Sequence, residues 1–241
     1  MKIFLISQVE DIISLLSQSQ HTTNKTYREI AVGTVFGMPP QARNFIASDD
    51  SGLSHKPFPE NKVKPEQRID YLTHVSMGRF IHGPGLRPLA TRFTQNILRS
   101  FSDLGIDDEW TELPDLYRFI QKCIFEASVP AMFGRQLIQR NSSFCEDFWD
   151  FDAGVPDLAK GLPKWAIPGA YKARDKCLET IKKHHLFLSQ HQKDMIPDGN
   201  ACGYNDLYGA EIIRYRHDMW SKMNAIDANA RAAEDLGMIW G

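Results

Sequence analysis

The sequence predicts a mainly α-helical fold with a minor β-sheet near its N-terminus, and three observations carry that prediction. Apolar residues return every three to four positions in most patterned segments, which is the stripe of one helical face. Only one stretch, Lys2–Ile6 (KIFLI), reads as a strand. No internal repeat or low-complexity segment interrupts the 241 residues. That length suits one large domain or two small ones. Seven or eight helices and one strand favour a single irregular helical domain over 1–241.

Lys2–Ile6 leads at once into a helix over Val9–Leu16, with Ser7 as N-cap and Glu10 completing a capping box. Residues 21–68 are broken by Pro39-Pro40, Gly52, Pro57, Pro59 and Pro65. Within them Ala31–Met38 and Phe45–Ala47 are apolar islands, to be packed as short helices or as loops. An irregular region this long is either a lid or substrate-facing segment, or a surface excursion. Ile69–Ile81 reads as a helix stopped by Gly83-Pro84-Gly85. Leu86, Leu89, Phe93, Ile97, Phe101 and Leu104 then mark an amphipathic helix ended by Gly105.

Leu113–Leu137 reads as another helix, with Leu116, Ile120, Ile124, Ala127 and Ala131 on one face and a kink at Pro130. Phe144–Phe151 (FCEDFWDF) is a dense aromatic helix suited to core packing. A loop from Gly161 to Gly169 precedes a long helix, Tyr171–Met195; a further helix covers Leu207–Met223. The Ala-rich Asp227–Gly241 closes the sequence, with Ala228, Ala232, Leu236 and Ile239/Trp240 on one face. A helix so patterned belongs deep in a core. The expectation is that the sequence is cut inside its central helix; the alternative is a natural end closed by Gly241.

A formal net charge of -2 leaves no global basic field for nucleic acid or anionic lipid. No segment has the length of a membrane span, and the apolar run at the N-terminus is too short for a signal peptide. Cys123, Cys145, Cys177 and Cys202 lie more than twenty residues apart and match no zinc ribbon or finger. They read as buried free thiols in a reducing compartment.

Few motifs carry chemistry. Gly83-Pro84-Gly85-Leu86-Arg87 precedes a helix but is not a dinucleotide fingerprint, since Pro88 stands at the last glycine position. A helix N-terminus still offers N–H groups and partial positive charge. Arg79, His82, Arg87 and Arg92 add cations around it, so ligand carboxylates or phosphates are expected there if anywhere. The other reading is a solvated basic helix start. His184, His185 and His191 share one helix; His184 and His191 are too far apart for one metal ion, and all three read as structural. The sequence has no H-E-x-x-H, no G-x-S-x-G elbow, no papain-like cysteine signature and no Walker loop.

In order, KIFLIS with VEDIISLLSQ, FGMPPQ, HGPGLRPLATRFTQNILRSF, LAKGLPKWAIPGAYKARDKCLETI and DANARAAEDLGMIWG resemble the first half of a cytochrome P450. The likeness is to the fungal branch similar to sterol 7α-hydroxylases and prostacyclin synthase. These pieces are similar to the first sheet strand with the B helix, the B–C segment, the C helix, the E–F passage and the start of the central I helix. The resemblance implies a partial cytochrome P450 fold truncated in the I helix. It implies haem as cofactor, an apolar substrate such as a sterol or fatty-acid derivative, and electrons from a reductase. His82 and Arg87 are the residues it assigns to the haem propionates, and the 31–47 segment to haem or substrate.

The sequence departs from the family's pattern elsewhere. Its haem loop, F-x-x-G-x-x-x-C-x-G, holds the thiolate that binds iron; Leu116, Ile138, Ala170 and Met195 stand where its Phe should precede each cysteine. The one E-x-x-R string, Glu211–Arg214, comes before the I helix rather than after it. No Trp accompanies Arg87 in the C-helix position. Residues 1–241 are therefore expected to be inactive alone. The intact family sits at the endoplasmic reticulum membrane; without an anchor this chain is expected in the cytoplasm. Two other classes stay open, a helical module that binds an apolar ligand without redox chemistry and a helical protein-interaction domain.

Overall fold

A computed structural model describes residues 6–17, 28, 30–102, 110, 112–191 and 203–241. Its helices are α1 (Val9–Ser17), α2 (Pro40–Ala47), α3 (Ile69–Phe80), α4 (Leu86–Ser102), α5 (Leu116–Phe133), α6 (Gln136–Gln139), α7 (Phe144–Ala159), α8 (Pro168–Gln190), α9 (Glu211–Ser221) and α10 (Ala228–Trp240). A π-helical turn, Ala31–Val35, precedes α2. The expected minor sheet is not borne out. Among the described residues the one β pairing is an isolated bridge between Asn205 and Gly209. Lys2–Leu5 lie outside the described residues and Ile6 has no regular structure. A strand needs a second strand to take its backbone hydrogen bonds, and no other described segment offers one.

The core lies between α7, α8 and α10. Helices α7 and α8 pack along each other, and Gly154 sets their spacing: a Cβ there would lie 2.7 Å from the Cβ of Ala170. The aromatic helix behaves as its composition predicts. Phe144, Phe148 and Phe151 are buried, and Phe125 of α5 meets the rings of Phe144 and Phe148 at 5.4 and 4.9 Å. Such tilted and edge contacts add to the burial of large apolar surface. Trp220, Ile212 and Ile213 of α9 complete this core.

The apolar islands are helical. Val35, Phe36, Met38, Ala42 and Ile46 are buried, and the π-helical turn packs on α7 and α10. The rest of the irregular region is tied down rather than loose. Buried Arg68 donates to the carbonyls of Gly52, Ser54 and His55 and to the Ser51 hydroxyl. Asp49 accepts from the backbone N–H groups of Ser51 and Asp70, which ties this loop to the start of α3.

Two faces differ from expectation. On α5, Leu116, Ile120 and Ile124 are exposed whereas Ala127 and Ala131 are buried. Helix α5 runs beside α4, whose own residues are none of them fully buried; its second half, with Phe125, Val129 and Phe133, enters the core. On α10 the buried face is Ala230, Ala232, Ala233, Asp235 and Leu236, and Ala228 is exposed. Leu236 is fully buried. The Trp240 indole N–H donates to Asp152 at 2.9 Å, and its ring lies 5.9 Å from that of Phe36.

Residues 203–210 seat α9 on the end of α5. Ala210 N–H donates to Met132 at 2.7 Å and Arg135 N–H to Asp206 at 3.1 Å. Gly209 has φ +80°, and a Cβ there would stand 2.1 Å from the Met132 carbonyl oxygen. Only glycine meets both requirements.

Candidate functional site

Two junctions concentrate polar chemistry. The first lies between α3 and α4. After α3, His82 has extended backbone (φ -122°, ψ 153°) and Gly83–Gly85 make one 3-10 turn before α4 begins. Proline in that turn and a glycine at φ +52° fit the sharp reversal. His82 Nδ1 lies 3.0 Å from the Met77 carbonyl. A carbonyl only accepts, so Nδ1 carries the proton of this contact and Nε2 is the free ring nitrogen. Arg87 stands exposed in the first turn of α4. Both residues expected at a carboxylate site are thus brought to one helix start.

Beside them is a groove of about 270 Å³, lined by Arg79, Phe80, Leu89, Arg92, Glu211 and Ile212 among others. His82 and Arg87 are not among its lining residues. The Arg79 guanidinium lies 3.6 Å from the Glu211 carboxylate and over the Phe80 ring at 4.8 Å, and Arg92 lies over Tyr204 at 4.2 Å. The E-x-x-R glutamate therefore faces an arginine of another helix. The 31–47 segment packs on α7 and α10 through its π-helical turn.

The second junction escaped the sequence reading. His185 of α8 and His217 of α9 both place Nε2 on the same oxygen, Oδ2 of Asp235 in α10, at 2.8 and 2.9 Å. Their rings meet edge to face at 4.6 Å. Asp235 is buried, and its Oδ1 has no hydrogen-bond partner. Burial alone would push this carboxyl up, but His217 and His185 outweigh it and hold it well below the usual carboxylate range. Burial pushes the His185 imidazole down, against the pull of Asp235. Neighbouring His184 is buried, and burial with the adjacent His185 and His217 brings it down to about 3, so it is neutral. His191 bonds the Phe187 carbonyl at 2.8 Å and stands apart from the cluster. The available signal was Asp235 itself, a carboxylate between Ala232, Ala233 and Leu236 on a buried stripe.

The described cysteines are free. Burial pushes Cys177 up to about 12 and Cys145 up to about 11, and raises Cys123. A metal or nucleophile thiolate needs the opposite, an electropositive and accessible setting. Cys202 lies outside the described residues.

No family model matches the chain. Individual proteins do, and they define the class: the chain is homologous to cytochrome P450 monooxygenases. It is 33% identical over 193 residues to cytochrome P450 monooxygenase fsoE of Humicola fuscoatra, covering 78% of this chain and 33% of that protein. Against cytochrome P450 monooxygenase efuG of Hormonema carpetanum the identity is 30% over 242 residues, 98% of this chain and 40% of the relative. Cytochrome P450 7A1 of Oryctolagus cuniculus is 28% identical over 131 residues, 52% of this chain and 23% of the relative. The chain thus spans a third to two fifths of the length of its fungal relatives. Among the described residues no helix is long and apolar enough to cross a membrane.

Proposed function

We propose that residues 1–241 are one incomplete domain, the N-terminal half of a haem-dependent monooxygenase acting on an apolar substrate such as a sterol or fatty acid. The observation that carries this reading is the similarity along 98% of the chain to a fungal cytochrome P450 monooxygenase. The family implies a reductase as electron donor. Placement of the intact protein at the endoplasmic reticulum rests on the same resemblance.

The described residues fit one end of a haem and not the other. At the α3–α4 junction, His82, Arg87 and the N-terminus of α4 form a cationic, exposed start suited to two carboxylates. No described cysteine has the surroundings of an iron ligand, each sitting in a helix with its thiol form favoured. Bound haem supplies the oxygen-activating iron. This chain's own contribution is to hold the propionates, Arg87 by paired N–H donors and His82 by its imidazole beside them. The chain alone is inactive on this reading, because cationic contacts at the rim do not replace an axial bond.

The test is haemin titration followed by its absorption band, on the chain and on its Arg87→Ala and His82→Ala variants. Each variant should bind several-fold more weakly. Equal binding by all three removes the propionate assignment. One observation favours a second reading, a haem-free helical module for an apolar ligand: Leu236 is fully buried by residues of this chain. A sharp, cooperative melt without any haemin uptake would support it.

A further inference from the structure

We propose that His185, His217 and Asp235 form a binding site for one divalent transition-metal ion, best matched by zinc, clamping α8, α9 and α10 together. This site is separate from the haem reading and does not depend on it.

Three features point to an ion rather than to a structural hydrogen-bond cluster alone. First, the ligand type is right. Two imidazoles and one carboxylate suit zinc and its neighbours among the transition metals, whereas calcium and magnesium take oxygen sets. Second, two of the three separations are close to those an ion imposes. The three ligand atoms lie within 4.8 Å of one another. A tetrahedral zinc ion with bonds of roughly 2.0–2.1 Å holds its ligands about 3.3 Å apart. The two N···O separations, 2.8 and 2.9 Å, need to open by only a few tenths of an ångström.

Third, the cluster is incomplete as it stands. Asp235 side chain is 1% exposed, yet its Oδ1 has no partner. A buried carboxylate oxygen left without one is costly. A dication bound at Oδ2 offsets the charge of this under-bonded buried carboxylate. The two protons now shared with Oδ2 leave the imidazoles when the metal binds. The two histidine side chains are each 15% exposed, so solvent reaches the cluster and water is the fourth ligand we assign. Three ligands with one open position is the arrangement of accessible zinc sites. Arg231 is a cation that acts on His185, and its charge works against the affinity.

The probe is Co(II), read by its visible bands and displaced by Zn(II), on the full chain stripped with chelator. We expect one equivalent to bind, tetrahedral bands to appear, zinc to displace them, and the melting temperature to rise with either ion. His217→Gln and His185→Gln should each weaken uptake by about 100-fold or more. His191→Gln, outside the cluster, should leave it unchanged. Both glutamine variants replace partly exposed side chains, and circular dichroism confirms their helix content; should one not fold, the other decides. Absence of saturable uptake overturns the proposal. So does uptake that survives in the folded cluster variants, or that falls equally in His191→Gln.

Discussion

The two polar junctions of this chain are built in opposite ways. At the α3–α4 junction the charged groups stand outside. His82 and Arg87 are exposed, belong to neighbouring stretches of sequence, and make no fully buried contact. At the α8–α9–α10 junction the charge is inside. Asp235 is buried, and its two partners come from residues 50 and 18 positions away. Helix α9 joins the two, since Glu211 at its start lines the groove while His217, two turns later, meets Asp235. The contrast teaches that an exposed site held by local sequence can be altered at little structural cost, whereas a buried site made by three helices is part of what holds them together.

Substitution at Asp235 should break the contrast most sharply. In the metal-free protein Asp235→Asn leaves both imidazole donors without their shared anion. It should cost about 3–5 kcal/mol, since two hydrogen bonds to a buried charged group, each worth about 1.5–3 kcal/mol, are lost. Urea unfolding measures it, and a loss below about 1 kcal/mol would mean the junction contributes little to stability. Next comes Gly209→Ala, at about 3 kcal/mol. A left-handed φ and a Cβ 2.1 Å from a carbonyl oxygen force residues 203–210 off the end of α5. Because that loop positions the start of α9, the variant should weaken haemin and cobalt uptake together. Loss of one alone would show that the junctions are independent.

How much of this was legible follows the same division. Helices with a local stripe and a clear stop were readable: Ile69–Phe80 before Gly83-Pro84-Gly85, and the aromatic Phe144–Phe151 turns of α7. So was the gathering of His82 and Arg87 at one helix start, since both lie within six residues. The buried face of α5 was not, because periodicity names a stripe but not the neighbour that covers it. Leu116, Ile120 and Ile124 keep the helical spacing and yet face away from the core. The expected strand failed for lack of a partner, something no single segment reveals. The Asp235 cluster needed the packing of three helices: reading histidines along α8 alone found His184 and His191 too far apart for one ion, whereas the structure brings His185 and His217 to one carboxylate.

The smallest effect sharpens the comparison from the other side. Arg87→Ala and His82→Ala remove exposed side chains, one from the first turn of α4 and one from the turn before it. His82 gives up a single hydrogen bond, to Met77, at an exposed position. Each change should therefore leave the unfolding free energy within about 0.5 kcal/mol of the parent. Their haemin affinity is expected to fall nonetheless, since on the proposed reading carboxylates are held there by those two side chains and not by the packing beneath. A ligand defect without a stability defect is the signature of an open, locally encoded site. If instead Arg87→Ala destabilised the chain by about 2 kcal/mol, the α3–α4 junction would be a second structural clamp, and the distinction between the two regions would be lost.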